Sequence, residues 1–141
     1  KEIYNLFRFN ICPFNLKNYN KAYRVKNNMI SIIETSEGIT EKSLGLINNV
    51  LRGEGYNNTG YCPVNDGNWY GATDLTGNYE EAKDKTRYLF CFKRFKTSEN
   101  DVYYEIKVFY EFTLPFLGPI GIFPISGRTD NFFGSREQLD L

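Results

Sequence analysis

The chain has 141 residues, 41% of them apolar and 17% aromatic, with 17 basic residues against 17 acidic ones and no histidine. That length suits a single domain able to bury its own core. The balanced charge argues against a nucleic-acid partner, which needs a concentrated positive face. The missing histidine removes the commonest general base and metal ligand, so a non-catalytic protein without a cofactor is expected.

Residues 1–15 mix aromatics with Asn and Pro; Ile3, Leu6 and Phe7 predict a short helical turn that Pro13 interrupts. From 16 to 34 the pattern is helical. Tyr19, Ala22, Tyr23, Met29, Ile30 and Ile33 form one apolar stripe at spacings of three and four, with a gap at Lys26. Gly38 ends this helix, and Thr40 with Glu41 opens a second. Leu44, Ile47, Val50 and Leu51 give its buried face, Arg52 complements its last turn and Gly53 its stop.

Residues 54–85 show no period and are rich in Gly, Asn, Asp and Thr. They predict an irregular loop with one short strand near 68–72, and loops of this length are commonly functional. The remainder is β. Residues 86–96 alternate, with Tyr88, Phe90 and Phe92 on one face and Leu89, Cys91, Lys93 and Phe95 on the other. After a turn at 97–101, Val102, Tyr104, Ile106, Val108, Tyr110 and Phe112 form the buried face of a long antiparallel strand. A Pro/Gly corner at 115–119 leads to a shorter strand, and Pro124 places that strand at an edge or bulge. Phe112, Leu114 and Phe116 are expected to close the core. Helices first and strands second indicate an α+β fold: an N-terminal helix and a short second helix packed on an antiparallel sheet of three to four strands. The single domain divides as 1–53 mainly helical, 54–85 irregular, 86–130 antiparallel strands and 131–141 tail.

The three cysteines, Cys12, Cys62 and Cys91, lack metal-ligand spacing. Cys62–Cys91, loop to sheet, is the preferred disulfide. Cys12 is the alternative partner, and three reduced thiols the alternative state. Asp66, Asp74, Glu80, Glu81 and Asp84 supply oxygens suited to calcium, but without an EF-hand pattern the expectation is Asx turns. Trp69 and Tyr70, with Tyr61 and Tyr79 nearby, form a ligand platform if exposed and core if packed; core is favoured. Phe92, Lys93, Arg94 and Phe95 interleave aromatic and basic residues, which one strand with a wet face explains without nucleic acid.

Taken together, the helix start at Gly38, Ile39 and Thr40, the strand carrying Ile106, Val108, Tyr110 and Phe112, the corner Pro115, Phe116 and Leu117, and the closing strand Pro124, Ile125, Ser126 and Gly127 resemble TadE-like minor pilins (pseudopilins) of tight-adherence, Flp-type pili. The likeness spans about residues 25–130. It implies a structural subunit of a cell-surface, extracytoplasmic filament, bound to the membrane by an N-terminal helix upstream of Lys1 and partnered by other pilus subunits. Phe116, Leu117, Ile120 and Phe123 are then the expected assembly surface. The chain starts at Lys1 and not Met, as a fragment or mature form does. The rival expectations are a secreted binding or toxin-like module using the Trp69/Tyr70 loop, and a histidine-free carboxylate hydrolase.

Overall fold

Ala22, Val25, Met29 and Ile33 follow one another at three, four and four residues, and all four are buried. They define the core stripe of helix α1 (Cys12–Thr35). The computed structural model describes residues 12–65, 67–99, 101–114, 116–130, 138–139 and 141. The expected turn at Ile3, Leu6 and Phe7 lies outside them. The helix starts earlier than position 16 because Pro13 sits in its first turn, where no intrahelical N–H is needed. Its stripe is rotated from the expected one: Val25 is inside, while Tyr19 and Tyr23 lie exposed at its margin.

Helix α2 (Glu41–Gly53) begins as its sequence predicts. The Thr40 hydroxyl accepts from the Ser43 N–H, and the Ser43 hydroxyl accepts from the Thr40 N–H, a reciprocal cap. The stop lies two residues beyond Gly53: the left-handed position is Gly55 (φ 66°), whose N–H donates to the Arg52 carbonyl. Arg24 of α1 pairs with Glu54 just past α2 (3.1 Å) and draws its carboxyl below the ordinary range.

Seven strands follow: β1 (Gly60–Tyr61), β2 (Trp69–Ala72), β3 (Tyr79–Glu81), β4 (Arg87–Tyr88), β5 (Cys91–Lys96), β6 (Val102–Leu114) and β7 (Gly118–Arg128). Five of them form one antiparallel sheet in the order β3-β2-β5-β6-β7, and β1 pairs with β4 in a small second sheet. The fold is therefore α+β, with more strands than the three to four expected. The short strand expected near 68–72 is β2; the additional strands β1 and β3 lie elsewhere in residues 54–85, and β4 is split from the strand expected at 86–96. With only two or three residues each, β1 and β3 are too short to show a period.

One face of the sheet is covered by the helices. Tyr104, Ile106, Val108 and Phe92 face Val25, Met29, Ile33, Ile47 and Leu51 in the main core. The opposite face carries a second, smaller core of Cys62, Trp69, Tyr88, Cys91 and Phe109, with Ala82 and Ile122 against it. Cys62 and Cys91 are joined there by a disulfide, Cα to Cα 5.7 Å. The expected single strand at 86–96 is broken at Leu89 and Phe90. The break puts Tyr88 on the disulfide side, whereas Phe90 and Phe92 keep to the helix side. The Tyr88 ring lies where a side chain on Gly71 would sit, so only glycine fits beneath it.

A tyrosine hydroxyl replaces the sheet ladder where β5 stops short. Tyr56 donates to the Leu89 carbonyl (2.7 Å) and accepts from the Phe109 N–H (2.9 Å), while the Asn58 amide donates to the Phe109 carbonyl (3.1 Å). Both backbone groups of Phe109 thus point away from β7. Its partner there, Pro124, consequently turns its nitrogen to the outer edge. The last described residues also join the core. The Leu139 N–H donates to the Ile39 carbonyl, and Arg94 donates to the Leu139 carbonyl (2.9 Å). Residues 138, 139 and 141 are in this way attached, although residues 131–141 were expected to form a tail.

Candidate functional site

β6 and β7 form a long hairpin whose two ends differ. At one end Thr129 is buried, and its hydroxyl accepts from the Tyr104 N–H (3.1 Å). At the other, the chain turns between Leu114 and Gly118 with Phe116 in the left-handed region (φ 69°), a position unfavourable for a non-glycine residue. Gly118 (φ 78°) completes the turn. Pro115 lies outside the described residues.

This apex carries the four expected surface residues. Phe116 is fully exposed, Leu117 is 73% exposed, Ile120 52% and Phe123 43%. The expectation that Phe116 closes the core is corrected, because the left-handed turn points it into solvent; Phe112 is the last core residue of β6. The register slips between Phe112 and Thr113: Phe112 pairs with Gly121 and Thr113 with Pro119, leaving Ile120 unpaired in a bulge. A bulge re-aims the side chain at its centre, and here that side chain is the exposed Ile120.

An aromatic strip runs inward from the apex. Phe123 meets Phe112 edge-on (6.1 Å) and Tyr110 (5.8 Å); Tyr110 meets Tyr19 edge-on (5.4 Å), and Tyr19 stacks on Tyr23 (6.0 Å). Lys26 lies over the Tyr23 ring (4.1 Å). Farther along, Gly127 leaves room for Lys26 and Ile30, and the Asp130 N–H donates to Glu34 (2.8 Å). Those contacts fix the direction of α1: its N-terminal half lies towards the apex and its C-terminal end away from it.

The other sequence candidates fall elsewhere. Trp69 is on β2, not a loop, and only 3% exposed within the disulfide core. Tyr70 points to the opposite face, half-buried and stacked on Phe92 (5.9 Å). The two therefore do not form one platform. Asp74 accepts from the Thr76 hydroxyl (2.5 Å), from the Asn78 amide (2.9 Å) and from the Thr76 N–H (2.9 Å), and these bonds hold its carboxyl down at about 2. That is an Asx turn closing the β2–β3 connection. Glu80 accepts from the Tyr88 hydroxyl (2.6 Å), and Asp66 lies outside the described residues. Among the described residues no three His, Cys, Asp or Glu side chains group as a metal site. Beyond the disulfide core, the same face of the sheet is wet. Phe95 and Tyr103 stack in parallel (4.8 Å), with Lys93 over one ring and Arg128 over the other.

Sequence reasoning missed Tyr56. Its two hydrogen-bond partners lie 33 and 53 residues away, and no local pattern marks it. Burial pushes its hydroxyl well above the ordinary tyrosine range, so it keeps the proton that it donates to Leu89.

Comparison with protein-family models, curated proteins and solved structures gives no match.

Proposed function

We propose that this domain is a non-catalytic assembly subunit of an extracytoplasmic, cell-surface filament, of the minor-pilin kind that its motifs resemble. The observation that carries the reading is the uncovered apex of Phe116, Leu117, Ile120 and Phe123 on a domain whose main core is otherwise closed. Contiguous apolar surface of this sort marks a contact site. A buried disulfide suits an oxidising, extracytoplasmic compartment. In subunits of the kind that the motifs resemble, the helix packs among neighbours while the globular head touches adjacent heads. In this reading a membrane helix precedes α1, and the partners are other pilus subunits.

The secreted-module alternative loses its surface, because Trp69 is inside. The carboxylate-hydrolase alternative loses Asp74 and Glu80 to local hydrogen bonds.

The test is a double substitution, Phe116→Asp with Ile120→Asp, in the full-length protein in its native cells. Both side chains are exposed, so the variant is expected to fold with an unchanged thermal midpoint and to fail to enter filaments. Normal filament incorporation of the folded variant would count against the reading. Fractionation with intact-mass analysis checks the anchor. A short cleaved leader with a retained apolar helix is expected, and release of a free monomer into the medium is the opposing result.

A further inference from the structure

The apex is the turn end of a two-stranded hairpin. Its four side chains, at up to about 200 Å² each when whole, offer roughly 500 Å² of exposed area. A stable protein pair buries about 800 Å² from each partner. The apex alone is therefore too small for a self-standing dimer, but its size suits insertion into a soft apolar medium.

Its surroundings point the same way. Residues 112–127 include no Asp, Glu, Lys or Arg. Behind the apex lie Tyr19 and Tyr23, amphipathic rings of the type that settle at the boundary between water and lipid headgroups. Before Glu34, the charged residues of α1 are all basic: Lys17, Lys21, Arg24 and Lys26. The first turn of the helix has no acid and its last turn no base, so no terminal charge complements its dipole. A stretch whose charges are all basic fits an anionic partner. Arg24 is occupied by Glu54, while Lys26 lies over Tyr23 beside the aromatic strip. The nearest acid on the hairpin is Glu111, paired across from Ile122.

From this arrangement we infer that the β6–β7 apex inserts into the interfacial layer of an anionic lipid bilayer, with Tyr19 and Tyr23 at headgroup level and the basic half of α1 above them. The inference deepens the reading of the apex as a contact surface, on which it rests: it names what covers the apex before a protein partner arrives. A subunit entering a filament must then lift its apex out of the lipid.

The experiment uses the oxidised full chain and vesicles of about 30% phosphatidylglycerol in phosphatidylcholine. The protein is expected to float with these vesicles and more weakly with pure phosphatidylcholine. Phe116→Asp with Leu117→Asp should lower the partition coefficient about 100-fold, on the order of tenfold for each side chain withdrawn from lipid. Phe116→Trp gives a second, independent reading: its emission should shift to the blue when vesicles are added. The parent chain, whose single tryptophan Trp69 is buried, should not shift. Absence of flotation, flotation unchanged in the double variant, or an unchanged Phe116→Trp emission would each overturn the inference. So would a concentration-dependent dimer in sedimentation without flotation, which would assign the apex to a second copy. The two readings fail separately. If the parent floats and the Asp-substituted apex variants lose flotation but still enter filaments, lipid insertion stands and the assembly role falls; if the parent does not float but the Asp-substituted variants fail to enter filaments, the reverse holds.

Discussion

The two faces of the sheet are held by different means. The helix-covered face is a broad apolar layer, in which Tyr104, Ile106, Val108 and Phe92 meet two helices. The opposite face is held at a few points: one disulfide and the rings of Trp69, Tyr88 and Phe109, while the Tyr56 hydroxyl reaches from the helix-side core to the place where β5 gives out. The first arrangement distributes its stability over many contacts. The second concentrates it in a few, so single chemical changes there should act locally, whereas changes on the helix side should act on the whole fold.

That contrast can be broken most strongly from the helix side. Phe92→Ala removes a fully buried ring and should cost about 3–5 kcal/mol, much of the stability of a typical domain. Urea denaturation should show a lower midpoint with all probes shifting together.

Next in size is the disulfide. Cys62→Ser with Cys91→Ser opens a cross-link of sequence separation 29, at a cost of about 3 kcal/mol. Hydrogen exchange would sharpen the comparison: amides of β1, β2 and β4 should lose protection first, while those of α1 and β6 keep theirs. Uniform loss across both groups would mean that the faces are one cooperative unit.

Tyr56→Phe should cost about 2 kcal/mol, because it leaves the Phe109 N–H and the Leu89 carbonyl without the hydroxyl that joins them. The same denaturation measurement applies, with the apolar ring retained and only the hydrogen bonds removed.

The smallest effect is expected at Asp74. Its folded-state carboxyl is held at about 2, below its ordinary value, so its contribution is present above that ordinary value and is lost as the pH falls through about 2. The difference in urea midpoint between the parent chain and Asp74→Ala should be constant near neutrality and should shrink on acidification from about pH 4 to about pH 2. A constant difference over that range would place the effect elsewhere than in the carboxylate.

The same division explains what could be read from the chain alone. β6 alternates for thirteen residues, and the Thr40 cap is written in adjacent positions, so both were legible. An exposed surface at Leu117, Ile120 and Phe123 was legible only as what the resemblance to minor pilins implies. Alternation carried on from Phe112 and Leu114 puts Phe116 in the core, but the backbone changes hand at that turn. On the disulfide side, strands of two to four residues carry no period. The strand break at Leu89 and Phe90 reverses the face of Tyr88, and the partners of Tyr56 are distant in sequence. Burial of Trp69 depends on that irregular layer folding back, which composition does not reveal.

Pro124 has a consequence for how such a chain survives while its apex is bare. An uncovered strand edge beside exposed Phe and Ile is the template from which cross-β fibrils grow, since each added strand needs an unbroken row of donors and acceptors. On β7 that row is interrupted at its middle by a nitrogen with no hydrogen to give, and near its start by the bulge at Ile120. The molecule can thus be adhesive through its side chains and inert through its backbone. At high local concentration, copies crowded together would tend to meet and separate and not polymerise as amyloid.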